Sequence, residues 1–334
     1  MSQLPATSVL VAAIADHLAR RARWRPLEFV FWAAALASLF LLPGKHLILA
    51  EIAILGLFAL SLDFLVGYAG IISLGHAAFF GVGAYSAGLL AKHGLVTEPL
   101  LAMLLSGLAA ALVGFASSFL MLRGSDLTRL MVTLGVALML RELANHLAWL
   151  TGGADGLQGV VVAPLLGHFA FDITGHTAYA YVLAVLFLLF LIARRIVHSP
   201  LGFSLRSIKG NALRAAAIGI PVNARLVAIY TVAAAYAGIA GALLTQVTSF
   251  CSLDVFSFDR SADLLLVLII GGTGYLYGGL VGAVLFKFMQ DWLAALTPQY
   301  WQFWIGLLLV AIVLVGRERA TGWLTALRLR LLER

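Results

Sequence analysis

Seven ionisable side chains lie within or at the edges of strongly apolar stretches of this chain: Glu51, Asp63, His76, Arg141, Glu142, Asp263 and Lys287. A charge in hydrocarbon is costly, so residues of this kind are functional candidates by default. The chemistry open to them is that of transport: holding a polar solute, or carrying a proton or sodium ion. Lys287 and Asp291 stand four apart and can pair on one helix face, a structural role. Arg141 and Glu142 are adjacent and project about 100° apart on a helix, so Glu142 can turn inward while Arg141 finds another partner. Asp63 falls near the end of its segment, where water reaches it, and reads as an interfacial anchor. His76 follows Ser73-Leu-Gly75. It reads either as a polar group beside a solute path or as a buried histidine bonded to a neighbouring helix.

Enzyme chemistry finds no constellation. No Gly-xxxx-Gly-Lys-Ser/Thr loop is present, so the chain does not bind ATP in the usual way by itself. The 8 histidines are scattered, and none forms a metal-ligand pair at helix spacing. Gly202-Phe-Ser204-Leu-Arg206 lacks the second glycine of a nucleophile elbow. The lone Cys251 excludes an internal disulfide and reads as a small apolar residue. No catalytic residue, cofactor or metal is expected.

The elements that must position these residues follow from composition. Of 334 residues, 62% are hydrophobic and 11% charged, with mean hydropathy +1.02. A soluble domain carries about 25% charged residues. This chain could not cover a water-facing surface, which leaves an all-α, polytopic bundle of membrane helices. Ten apolar segments can be drawn, about 27–42, 46–66, 71–91, 99–122, 129–150, 177–194, 225–249, 262–273, 279–296 and 301–316. Most approach the ~20 residues that cross the hydrocarbon core. The eighth is short and ends in Gly271-Gly272-Thr-Gly274, as a broken helix would.

Charge gives the orientation. With the amino terminus inside, seventeen of the 22 basic residues fall on the inner side, and the loop from Thr151 to Thr177 has none. That is a strong positive-inside bias. It puts both termini inside and makes Lys45, Lys92 and Arg260 the outer basic residues. The formal net charge of +7 sits in short loops and not on one face, so nucleic acid is not an expected partner. Residues 1–26 do not read as a cleavable signal peptide, because the Arg20-Arg21-Ala-Arg23 cluster follows the apolar stretch. They read as an amphipathic inner-side lead-in to a single domain over 27–316, with a basic tail over 317–334.

Two stretches are rich in glycine: Gly67 to Tyr85 with five, and Gly271 to Gly282 with six. Glycine lets membrane helices approach closely or unwind, and unwound backbone survives only where it is buried or lines a cavity. Both readings are open for both stretches.

The longest polar segment between apolar runs is Ile192 to Arg225. It carries Arg194, Arg195, Arg206, Lys209, Arg214 and Arg225 and no acid. Leu205 to Gly219 has the composition of a short surface helix, broken before it by Pro200-Leu-Gly202 and after it by Gly219 and Pro221.

Four stretches carry a family resemblance. Ser199-Pro-Leu-Gly-Phe-Ser-Leu-Arg-Ser-Ile-Lys209, with Ala215-xxx-Gly219, is similar to the coupling loop of permease subunits of branched-chain amino-acid ABC importers. Gly67 to Tyr85, Thr133-Leu-Gly with Thr151-Gly-Gly-Ala-Asp-Gly156-Leu, and Gly271 to Ala283 also resemble that family, in its order. The resemblance implies an inner-membrane permease paired with a second homologous permease. It also implies two cytoplasmic ATP-binding subunits docked on the loop at 195–224, and a periplasmic binding protein that delivers branched-chain or similar small apolar amino acids. Arg206, Lys209, Gly210, Asn211, Arg214, Ala215 and Gly219 are the expected coupling residues. Ser73, His76, Phe79, Tyr85, Thr133, Glu142, Gly272 and Gly274 are the pathway candidates. One departure stands out: Lys209-Gly-Asn211-Ala replaces the acidic Glu-Asn-Glu type of sequence usual before the Ala-xxx-Gly helix, which opens urea or short amides as alternative solutes. A self-sufficient ion-coupled transporter using Glu51, Asp63 and Glu142 is the other alternative.

Overall fold

The computed structural model describes residues 26–315 except 123, 125 and 173. The lead-in expected before residue 27 and the tail expected from 317 lie outside the described residues, except that Pro26 opens the first helix. The helices are α1 (Pro26–Leu41), α2 (His46–Asp63), α3 (Ala77–Lys92), α4 (Pro99–Met121), α5 (Asp126–His146), α6 (His176–Val197), α7 (Pro200–Gly210), α8 (Ala212–Ala217), α9 (Val222–Thr248), α10 (Phe258–Gly271), α11 (Leu276–Leu296) and α12 (Trp301–Val315). Among the described residues there is no strand, only isolated bridges such as Leu157 to Cys251. Each of the ten apolar segments holds one of these helices, and the end of the fifth also enters a separate four-residue helix, Ala148–Thr151. Among the described residues, five spans are long and apolar enough to cross a membrane: His46–Ala69, Pro99–Met121, His176–Val197, Val222–Thr248 and Leu276–Leu296.

The long α9, 27 residues and about 40 Å at ~1.5 Å per residue, is the axis of the bundle. It packs on α3 and α4 through small side chains. A Cβ added at Gly83 of α3 would lie 2.0 Å from the Gly238 carbonyl oxygen of α9, and one at Gly241 would lie 1.9 Å from that of Phe80. The two backbones therefore touch, as expected where association depends on close van der Waals packing. The faces of α4 turned away from α9 carry exposed Leu101, Leu104, Leu108 and Phe119, a surface suited to lipid or a second membrane subunit.

Electrostatic ties link the remaining helices. Glu28 of α1 pairs with Arg194 of α6. Lys287 of α11 pairs with Asp291 at 3.8 Å, as its spacing predicts, but its nearer partner is Glu51 of α2 at 3.0 Å. Sequence spacing finds the partner on the same helix and is blind to one on another.

The central loop differs from expectation. It forms two helices, not one from Leu205 to Gly219. Ser199 caps α7, its side chain accepting a hydrogen bond from the Leu201 N–H, with Pro200 in the first turn. Pro200 therefore starts a helix instead of breaking one, the role proline has at such a position. Asn211 is extended, ends α7 and caps α8, its side chain accepting from the Arg214 N–H at 2.9 Å. An asparagine expected among the partner contacts thus serves the fold locally.

Candidate functional site

The first helix interruption is at the end of α2. Phe64–Ala69 continues the helix as a π turn, and Gly70 stops it in the left-handed conformation at φ +76. A π turn widens the ring of backbone bonds and recurs at functional places. Here the Gly67 carbonyl accepts a hydrogen bond from Lys209 Nζ of α7 at 2.7 Å. The stem of Lys209 lies across Gly70, whose added Cβ would meet Lys209 Cγ at 3.0 Å. One turn earlier on the same face of α7, the Arg206 guanidinium stands over the Tyr68 ring at 5.2 Å, within cation–π range. Two cations of the basic loop therefore hold consecutive residues of the π turn.

The second interruption lies between α10 and α11, at Gly272, Thr273, Gly274 and Tyr275. The two interruptions touch. The Gly274 N–H donates to Asp63 Oδ1 at 2.7 Å, across a sequence separation of 211. A Cβ on Gly67 would lie 2.0 Å from that carboxylate oxygen and 2.5 Å from the Gly274 nitrogen. Asp63 is 1% exposed, and its Oδ2 has no hydrogen-bond partner among the described residues. This corrects the expectation of a water-reached anchor: Asp63 is buried, and it ties α2 to the break before α11.

The third interruption is the unwound segment from Gly70 to His76. Its backbone is held from the side. The Leu74 N–H donates to Thr133 Oγ1 of α5 at 3.2 Å, and the Ala77 N–H donates to Ser261 Oγ of α10 at 3.1 Å. A Cβ at Gly75 would fall 1.9 Å from the Thr133 carbonyl oxygen, so only glycine lets α5 come this close. His76 is fully buried, its Nε2 2.8 Å from Ser61 Oγ and its Nδ1 without a hydrogen-bond partner among the described residues. It stacks on Phe58 at 5.7 Å.

Of the pathway candidates, Ser73, His76, Thr133 and Gly274 are gathered at these interruptions, and Gly272 sits at φ +96 inside the second. Ser73 Oγ is buried without a hydrogen-bond partner among the described residues. Phe79 and Tyr85 are instead core residues of α3, packed on Tyr230 and Phe256. Glu142 lies on the exposed side of α5 and does not join them. Of the coupling candidates, Arg206 and Lys209 face the π turn, while Arg214 and Gly210 are exposed. Ala215 is 1% exposed, so it does not share an open face with Gly219. Sequence reasoning missed Ser61 and Ser261, whose hydroxyls look like ordinary helix residues until the fold is known. No group of three metal-ligating side chains occurs among the described residues. The arrangement is suited to passing movement: a shift of α7 reaches Gly67, then Asp63 and Gly274, through contacts with little slack.

The family described as branched-chain amino acid transport system / permease component matches residues 46–313. The high-affinity branched-chain amino acid transport system permease protein LivM of Salmonella typhimurium is 29% identical over 250 residues, covering 68% of this chain and 58% of that protein. The LivM protein of Escherichia coli is 27% identical over 249 residues, with the same shares. The chain thus spans under two thirds of the length of these curated relatives. No solved structure matches it.

Proposed function

This chain belongs to the family of branched-chain amino acid transport permease components, and from that premise we propose that it is the membrane-spanning subunit of an ABC importer for branched-chain or similar small apolar amino acids. Its partners are a second homologous permease, two ATP-binding subunits and a periplasmic binding protein, in a bacterial inner membrane. The ten helices of the apolar segments cross or enter the membrane, and both termini and the loop at 195–224 face the cytoplasm.

The observation that carries this reading is the contact of the basic α7 with the π turn, and through Asp63 with the break at Gly274. A subunit without a phosphate-binding loop must receive work from a partner, and α7 and α8 are where a soluble partner could apply it. An ion-coupled mechanism has less support. Glu51 is paired with Lys287, Asp63 is held by a backbone N–H, and Glu142 is exposed on another helix.

Two experiments test the reading. In cells carrying the full set of subunits, radiolabelled leucine is expected to accumulate and radiolabelled urea is not. Urea uptake without leucine uptake reassigns the solute, and leucine uptake that follows the ion gradient and ignores ATP removes the ABC mechanism. For topology, Ala154→Cys and Ser207→Cys, in a Cys251→Ser background, are expected to react with impermeant thiol reagents from opposite sides. Both positions are exposed, whereas Gly153 beside Ala154 is buried. Labelling of both from one side contradicts the orientation.

A further inference from the structure

A cavity of about 540 Å³ opens between α2, α9, α10 and α11, within the size range of small-molecule sites. Its lining has two characters. Toward the bundle centre it is apolar, formed by Ile54, Leu244, Phe286 and the rings of Phe58 and Phe80, 4.5 Å apart. At the mouth stand four carboxylates, Glu51, Asp254, Asp259 and Asp263, against two cations, Arg260 and Lys287. Two of the acids are already used: Glu51 by Lys287 at 3.0 Å, and Asp254 by Arg260 at 3.1 Å. Asp259 and Asp263, four apart on α10, have no cation of their own in the lining.

The pairing of Arg260 matters further. Its Nε and one terminal nitrogen both donate to the same oxygen, Asp254 Oδ2, at 3.1 Å. The guanidinium is thereby oriented over the Phe80 ring at 6.0 Å, and its side chain stays 40% exposed beyond the two N–H groups it uses on Asp254. A guanidinium fixed on one edge and open on another is pre-set for a carboxylate. The same mouth therefore offers a place for an ammonium and a place for a carboxylate, above a pocket for an alkyl group.

We propose that this cavity is the permease's own binding site for a zwitterionic α-amino acid, with Arg260 on the carboxylate, Asp263 on the ammonium, and Phe58 and Phe80 against the aliphatic side chain. The inference rests on the proposed transport function and orientation, which put the mouth on the outer side, where a binding protein would release its solute. It also gives the choice of solute a physical basis. Urea and amides have no positive charge for the surplus acids and no carboxylate for Arg260.

The test uses leucine carrying a diazirine in its side chain, photolysed in proteoliposomes of the assembled transporter with its binding protein. Mass spectrometry of the wild-type complex is expected to find the label on peptides containing Phe58, Phe80 or Leu244. Arg260→Gln and Asp263→Asn are expected to lower both cavity labelling and leucine uptake by roughly tenfold or more, the usual size for losing a charge-assisted hydrogen bond. Arg260→Lys should recover part of that loss, with subunit stoichiometry unchanged throughout. Label elsewhere in this chain overturns the site, as does wild-type labelling in Arg260→Gln, even while leucine transport stands. Absence of ATP-driven leucine uptake by the wild type is a different result, and counts against the transport function itself.

Discussion

On the proposed function, Gly67→Ala is expected to abolish ATP-driven uptake while leaving the subunit inserted and assembled with its partners. The new methyl carbon would lie 2.0 Å from Asp63 Oδ1 and 2.5 Å from the Gly274 nitrogen. The carboxylate can swing away, but the backbone nitrogen cannot, so the bond from Gly274 to Asp63 is lost or the break before α11 moves. Overpacking of this kind costs about 1–3 kcal/mol. Depriving a buried carboxylate of its one hydrogen bond costs about 1–3 kcal/mol more. Both penalties fall on one junction, in a bundle whose remaining contacts are untouched, so loss of coupling is expected ahead of loss of fold. Asp63→Asn keeps an oxygen for the Gly274 N–H and should be much milder. Lys209→Met removes one hydrogen bond from a largely exposed side chain and should fall between them. The measurements are subunit stoichiometry of the purified complex, substrate-stimulated ATP hydrolysis and leucine uptake. Normal uptake by an assembled Gly67→Ala complex would show that the junction transmits nothing.

How much of this was legible in the sequence depends on the range of the interaction concerned. Membrane class, the ten apolar segments and the basic loop follow from composition and local runs, and each segment does hold a helix. The break at Gly271 to Gly274 was legible because four residues with three glycines cannot sustain a helix. The π turn was not. Gly67 marks a stretch where a helix could unwind, but nothing in Phe64 to Ala69 specifies a π turn, which forms beside Lys209, 142 positions from Gly67. The burial of Asp63 is hidden from the sequence for the same reason: its partner is a backbone N–H on a distant loop, invisible to side-chain spacing. In the central loop the local signals are present, but they favour two capped helices over one helix between breakers. Ser199-Pro200 is a helix start, and Asn211 followed by Ala-Leu-Arg is another. Pro200 reads as a breaker by residue type alone, and as a helix start only together with Ser199 before it.

The same correction moves the docking face of the central loop. Ala215 is buried and Gly219 is not a small residue on an open helix face. Gly219 follows α8 at φ +89, its N–H bonded to the Ala216 carbonyl and the Ile220 N–H bonded to that of Ala215. That is a helix end in the Schellman pattern, where glycine is favoured for its backbone. A side chain there strains the turn by about 1–2 kcal/mol but meets no atom within 4 Å. What α8 and its C-cap present outward is Leu213 of the helix and Ile218 just after it, 84% and 75% exposed, beside basic residues. Large apolar side chains so open on a polar loop are the natural anchors for a partner. Burying each contributes about 1.5–3 kcal/mol, against ~0.2–1 kcal/mol for an exposed pairing of Arg214 with an acidic rim. Arg206 and Lys209 are already engaged with the π turn and have less to give. Leu213→Asp and Ile218→Asp are therefore each expected to weaken docking of the ATP-binding subunit by about a hundredfold, with little dependence on salt. Arg214→Gln should weaken it a few-fold, and less so as salt rises. Gly219→Ala should fall between these and act through a frayed α8. The affinities can be read by titrating purified ATP-binding subunit onto permease pairs in nanodiscs at two salt concentrations. Full affinity in both aspartate variants, with Arg214→Gln the more damaging change, would mean that charge and not the two apolar anchors holds the partner to this loop.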